Sequence, residues 1–438
     1  MSRLITCSAS FALLCSFATL TLAGDARSIA LGGAVIANGK GVHGAATNPA
    51  SLMAMQRRAE LTHFRVGFDV DIRDTGGAID LLLDDDNLNL IQDLDSELQA
   101  LEGTSITCNP LVDSPQTVCL TGTQPLSDLS DRVLNIVDTL DGESLEGKSS
   151  VDVGMAFTGG RIPFAVDLKI SAAGSGTPEF VDSDRDYINE IGATLDNNTL
   201  TLEELTNSVI LTADAVGAPL GVLRPEDILQ SEGNGSVMLR TQLAVSFAST
   251  VPIRGRAVDI GITPKFSSMI ARSLQLDLSD EFRPDIVSAS TRFANSEVSK
   301  TSFTADVGAS MMLQQVQVAG VIRNIIPESI ITNEGFEFET TPQLIVGAAY
   351  RRGESILTAD IALNNARVDN IETQKMGLGV ELPAKMFELR GGVAHDAARK
   401  ADNTALTLGF GLGPLDFGAR VAGLQSMELG AQLAFTFR

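Results

Sequence analysis

The chain has 438 residues, is 44% hydrophobic with 40 glycines, and carries a formal net charge of −23. So large an acidic excess argues against direct nucleic-acid binding, which rests on cations meeting phosphates. Beyond the N-terminus no stretch offers the roughly 18 apolar residues that a membrane-crossing helix needs, so entry into a bilayer would require a closed barrel.

In chain order, Met1-Ser2-Arg3 precedes an apolar run from Leu4 to Leu22 that ends Thr21-Leu22-Ala23 before Gly24, the pattern of a cleavable secretory signal over residues 1–23. Residues 24–57 are rich in small side chains and contain two pairs, Gly32-Gly33 and Asn48-Pro49. The glycines allow close backbone approach and the Asn-Pro step favours a turn. From residue 58 onward, period-two alternation dominates. Val151, Val153, Met155 and Phe157 oppose Asp152, Gly154 and Ala156; Val258, Ile260 and Ile262 oppose Asp259, Gly261 and Thr263; Met427 to Phe437 alternates to the end. Each segment predicts a strand with one apolar and one polar face.

About 14 such segments occur, near Leu61, Val151, Ile162, Leu239, Val258, Ala305, Val316, Leu344, Leu357, Leu378, Leu389, Leu406, Phe417 and Leu433. The count is even and the connections alternate long with short, as an antiparallel up-and-down transmembrane barrel requires and a Greek-key sandwich does not. The fold expected is therefore an all-β barrel of about 14 strands over residues 58–438, with long loops at 72–148 and 173–234. The first loop holds 16 acidic and 3 basic residues and the second 12 and 2, which together equal the whole net charge of −23. What remains is neutral, as suits a wall in lipid.

Both loops carry helical spacing. Ile91, Leu94, Leu98 and Leu101 form one stripe, Leu126, Leu129, Val133, Val137 and Leu140 another, and Thr201 with Glu204 resembles a capping box ahead of Leu202, Leu205 and Val209. Cys108 and Cys119, the cysteines left after cleavage, are expected to form a disulfide in an oxidising compartment. On the inward faces of the strands, Asp360, Glu381, Glu388, Arg390, Asp416, Arg420 and Glu428 have charged company of the opposite sign, which predicts ion pairing in the lumen. His43, His63 and His395 are scattered and no catalytic or phosphate-binding motif is present, so no metal, cofactor or enzymatic activity is expected.

The segment Ala26 to Met55, through Ala30, Gly32, Gly33, Ala34, Asn48, Pro49, Ala50 and Leu52, resembles the N-terminal segment of FadL/OMPP1-type outer-membrane proteins and, more closely, of the plasmid-transfer TraF-like barrels. The C-terminal strands Gly409 to Gly413 and Leu429 to Phe437 extend the likeness to the other end of the mature chain. The resemblance implies a plug or hatch folded inside a 14-stranded barrel in the outer membrane of a Gram-negative-type bacterium, passing small hydrophobic compounds. It implies as partners membrane lipid, hydrophobic small molecules and, through the TraF likeness, components of a secretion or conjugation envelope complex in which the barrel would be a structural or assembly part.

Overall fold

The computed structural model describes residues 26–57, 62–74, 117–119, 124–141, 145–196, 199–201, 211–212, 221–222, 230–277, 286–369, 371–384, 387–398, 403–422 and 426–437. Fourteen strands make the wall: β1 Thr62–Asp74, β2 Leu145–Phe157, β3 Phe164–Glu179, β4 Glu232–Ile253, β5 Arg256–Asp277, β6 Val298–Leu313, β7 Val316–Arg323, β8 Gln343–Arg352, β9 Ser355–Ala362, β10 Lys375–Pro383, β11 Phe387–Asp396, β12 Thr404–Leu412, β13 Leu415–Ala422 and β14 Ser426–Phe437. Each pairs antiparallel with its neighbour in sequence. The ring closes where β14 meets β1, from Thr62↔Phe437 to Arg73↔Ser426. Closure removes both sheet edges, so every strand has a ladder on each side, which is what a low-dielectric surrounding demands of backbone polar groups. All fourteen segments legible from alternation are strands of this wall.

The two faces separate as the pattern dictates. Leu406 and Leu408 stand outward at 70% exposure while Thr407 between them is 1% exposed. The same contrast recurs at Val153 and Met155 around buried Gly154, and at Ile260 and Ile262 around Gly261. A continuous apolar outer face on a closed ring makes this a transmembrane barrel. Lacking Trp, it uses Phe at the rim of short turns: Phe157 stacks on Phe164 with centroids 5.0 Å apart and Phe410 on Phe417 at 4.9 Å. That rim, which also holds the start of β1 and the end of β14, is the terminal rim; the opposite one is the loop rim.

The wall is uneven in height. Strands β7 to β13 have 8 to 10 residues, close to the roughly 9–11 that a tilted strand needs to span lipid, whereas β4 and β5 have 22 each. The tall side therefore rises into water at the loop rim. Here the connection expected over 173–234 is shorter: β3 runs on to Glu179 and pairs with β4 from Glu232. Above the lipid both faces are wet, so polar residues such as Ser175, Thr177 and Asn234 continue the ladder without the alternation that marks a strand in sequence.

Two further hairpins interrupt connections that read as plain loops: Glu328–Ile331 with Glu337–Thr340, and Ala366–Val368 with Ile371–Thr373. In the acidic loops, the stripe ending at Leu140 forms a helix over Gln124–Leu140 that packs on a second helix, Asp182–Asp196. Val133, Val137, Tyr187 and Ile188 are buried, and Ser130 Oγ donates to the Ile188 carbonyl at 2.5 Å. Thr201 ends a short strand, Thr199–Thr201, paired with Thr117–Cys119. The residues after it, the stripe at Ile91 to Leu101, Cys108 with its pairing to Cys119, and the signal segment all lie outside the described residues, as does the side chain of Glu428.

Replacing Leu408 by Arg puts a charge into the apolar belt. Urea titration of the barrel refolded in lipid vesicles is expected to show a loss of about 2–4 kcal/mol if the site is at the midplane, with Thr407→Ser, on the inner face, near zero.

Candidate functional site: the filled lumen

Residues 26–57 form three short helices, α1 Ala26–Ala30, α2 Gly41–Thr47 and α3 Ser51–Arg57, joined by irregular backbone, and none of them enters the sheet. Helix α1 lies against β11 to β14 and β1, α2 against β1 to β4, and α3 against β4 and β5. Asn48 and Pro49 meet Gly308 of β6, the Thr47 carbonyl accepts from Arg323 of β7, Ile36 faces Gly347 of β8, Ala34 and Val35 bond β9, and Leu31 and Gly32 meet β10. A short segment can reach all fourteen strands of a ring only from within, so it fills the lumen.

Its fit depends on what the wall lacks. A Cβ added to Gly154, Gly261, Gly308, Gly377, Gly409 or Gly418 would collide with Val42, Pro49, Asn48, Gly32, Ala30 or Ala26 respectively. Glycines on six different strands thus hollow a seat for the segment, for its backbone at Ala26, Gly32 and Pro49 and for side chains at Ala30, Val42 and Asn48. From the segment's side, Gly32 has φ +66 and its missing Cβ would lie 2.5 Å from the Val393 carbonyl oxygen, so both conformation and space require glycine. Gly33, at φ +86, has open space beside it; its requirement is conformational alone. Asn48 supplies the turn: its Oδ1 accepts from the Ala50 N–H at 3.1 Å and its Nδ2 donates to the Ile36 carbonyl at 3.2 Å. Leu52 and Met55, fully buried, pack with Val42 and Ala45 against wall alanines 156, 165 and 248, and each such side chain contributes about 1.5–3 kcal/mol.

Polar bolts fix the rest. Glu381, 2% exposed, accepts from Arg27 Nε at 2.8 Å, Arg390 Nε at 3.3 Å and Lys40 Nζ at 2.5 Å. Arg390 continues to Glu388 at 2.5 Å and Asp416 at 2.6 Å. Four of the charges singled out in sequence therefore meet in one cluster, together with two cations of the segment. Asp360 is elsewhere: its carboxylate takes the backbone N–H groups of Val35 at 2.6 Å and Ile36 at 2.8 Å. Arg420 is buried on β13, in register with Thr407 and Glu428 and nearer the loop rim than Asp416. Arg57 grips Asp259 with both terminal nitrogens, at 2.9 and 2.6 Å.

Farther along the lumen the tall wall remains ionic, with Arg65 on Asp152 and Lys265 on Asp306 at 2.7 Å. At the loop rim the chemistry changes. Ala173, Met238, Met269 and Ala271 make an apolar patch on the inner wall, covered by Ile330 and Phe338 of the 328–340 hairpin. The 366–373 hairpin leaves the ring between β9 and β10 and reaches the far side: Asp369 meets Arg240 of β4 at 2.8 Å and Lys148 of β2 at 3.8 Å, and Lys148 Nζ also donates to the Val368 carbonyl at 2.5 Å. Burial alone would raise the Asp369 carboxyl, but Arg240 and Lys148, with Lys169 and the Thr340 hydroxyl, outweigh it and hold it below the usual carboxylate range. Thr340 joins the two hairpins to this cluster, accepting from Arg240 at 3.0 Å and from the Asp369 N–H at 3.3 Å.

Arg27, Lys40, Arg57, Asp259, Arg240, Lys148 and Asp369 were not singled out from sequence. For the first three a signal existed, since cations in a segment otherwise made of small residues invite a search for carboxylates on the wall.

Residues 45–361 match the model of a family described as F plasmid transfer operon, TraF, protein. The chain belongs to this family. No curated relative matches it. Among solved structures, this TraF-family barrel is similar to the Pseudomonas putida toluene transporter TodX, at 11% identity over 94% of this chain and 97% of that one with a TM-score of 0.47, and to the Ralstonia pickettii toluene transporter TbuX, at 12% identity over 96% and 99% with a TM-score of 0.46. The translocator domain of the autotransporter NalP from Neisseria meningitidis overlaps less, at 9% identity over 89% and 96% with a TM-score of 0.28.

Replacing Gly377 by Val drives a side chain into Gly32 and should expel the segment while leaving the ring closed. Trypsin is then expected to cut at Arg27, Lys40 or Arg57 in the purified variant and not in the parent, with heat-modifiable gel mobility retained.

Proposed function

We propose that the protein is an outer-membrane channel for small hydrophobic compounds, with residues 26–57 as its hatch. The observation that carries this reading is the apolar patch of Ala173, Met238, Met269 and Ala271 on the inner wall at the loop rim, beneath Ile330 and Phe338 of the 328–340 hairpin. Methionines suit ligands of varied shape because the side chain is flexible and polarizable. The hatch is held by side-chain bonds and close packing rather than by strand pairing, so it can shift without opening the wall. Cells lacking the protein should take up a labelled aromatic hydrocarbon or fatty acid more slowly, and complementation with Met238→Asp should not restore the rate although the variant reaches the outer membrane. Uptake unchanged by deletion would refute the reading.

A second reading is favoured by the family match and by the exposed acids Asp128, Asp131, Asp138, Asp182 and Asp186 on the two packed loop helices. In it the barrel is a structural part of a conjugal-transfer or secretion complex. Deletion would then lower transfer frequency, and envelope secretion components would co-purify with the barrel; a barrel isolated without such partners, in cells whose transfer is normal, would count against it.

A further inference from the structure

The lumen is obstructed twice, at opposite rims and by unrelated parts of the chain. Toward the terminal rim the obstruction is the 26–57 segment, bolted through Glu381 to Arg27, Lys40 and Arg390. Toward the loop rim it is the pair of hairpins, 328–340 seated in the apolar patch and 366–373 drawn across the mouth. In a ring of fourteen, β2 lies half-way round from β9, so the contacts of Asp369 and Val368 with Lys148 span the full opening and that with Arg240 nearly so. Neither hairpin is part of the wall ladder, and Glu381 and Asp369 have different partners.

We infer that these are two closures in series, the second being an electrostatic latch of Asp369 on Arg240 and Lys148, and that ions cross the barrel only when both are released. Obstructions in series obey a simple rule: the leak is set by whichever stays shut. Removing the carboxylate charge takes from buried Arg27 at the first site, and from buried Arg240 at the second, the anion each meets, which is far more costly than never having had the pair, so each closure is destabilised by its own single substitution. This inference concerns ion leak and does not depend on the barrel being a hydrophobic-compound channel.

The test is conductance of the purified full chain in planar lipid bilayers, for the parent, E381Q, D369N and the double variant, with heat-modifiable mobility checked for each. The parent and both single variants should stay silent. The double variant should spend about tenfold or more time conducting than either single variant. Reversing all three charges of the latch, R240D and K148D with D369R, in the E381Q background should close the barrel again, a rescue that a merely structural role for Asp369 would not give. Should E381Q fold poorly, K40Q weakens the same bolt more gently. Either single variant conducting as well as the double, or a folded double variant that stays silent, overturns the inference.

Discussion

Everything in this molecule follows from one constraint: a ring of strands in lipid must show hydrocarbon outward on every second residue, and so must turn its polar residues inward. A soluble β-protein does the reverse and gains an apolar core. Here the interior inherits Asp, Glu, Arg and Lys side chains from all round the wall, in a space with little water to solvate them. Such charges are tolerable only when paired and hydrogen-bonded. The interior is accordingly rich in ion clusters, with apolar packing at the hatch contacts, around Ile36, among wall alanines 394, 405 and 422 and in the patch at the mouth.

The luminal segment answers that constraint from its own side. It brings Arg27, Lys40 and Arg57 to wall carboxylates and offers backbone N–H groups to Asp360. Its backbone needs room that a wall of ordinary residues would not leave, and the inward glycines provide it. The same glycines would weaken an isolated strand, since they bring no side chain to pack and lose more entropy on ordering. In a closed ring with a ladder on both sides, and with a chain pressed into the gap, that weakness is offset.

The strands were legible because lipid enforces alternation strictly: Val151 to Phe157 and Leu415 to Val421 could be read residue by residue. Where that enforcement ends, legibility ends too. The tops of β3 and β4 stand in water on both faces, and Ser175 or Asn234 gives no period to detect. The hairpins at 328–340 and 366–373 are too short to show one. The helix Asp182–Asp196 was missed although Tyr187, Ile188 and Ile191 recur at helical spacing, because its surface is so acidic that it reads as a solvated loop. Within the site, Glu381, Glu388, Arg390 and Asp416 were found because charge on an apolar-periodic strand is conspicuous. Their partners Arg27 and Lys40 stand out only as cations in a small-residue segment, and nothing local says which carboxylate more than 300 residues away each one meets. The seat glycines are likewise ordinary small residues on a polar face until the chain they accommodate is in view.

The segment's contact with every strand has a consequence for how the barrel is built. It precedes β1 in the chain, and the ring is completed only when β14 returns to β1. A ring that shuts with the segment inside must therefore bring the seat glycines opposite it. Circumference then becomes a property of the core piece as much as of strand pairing, because thirteen or fifteen strands would misplace the glycines relative to the backbone they accept. The piece that obstructs the passage is also the piece whose fit matches the width of the ring.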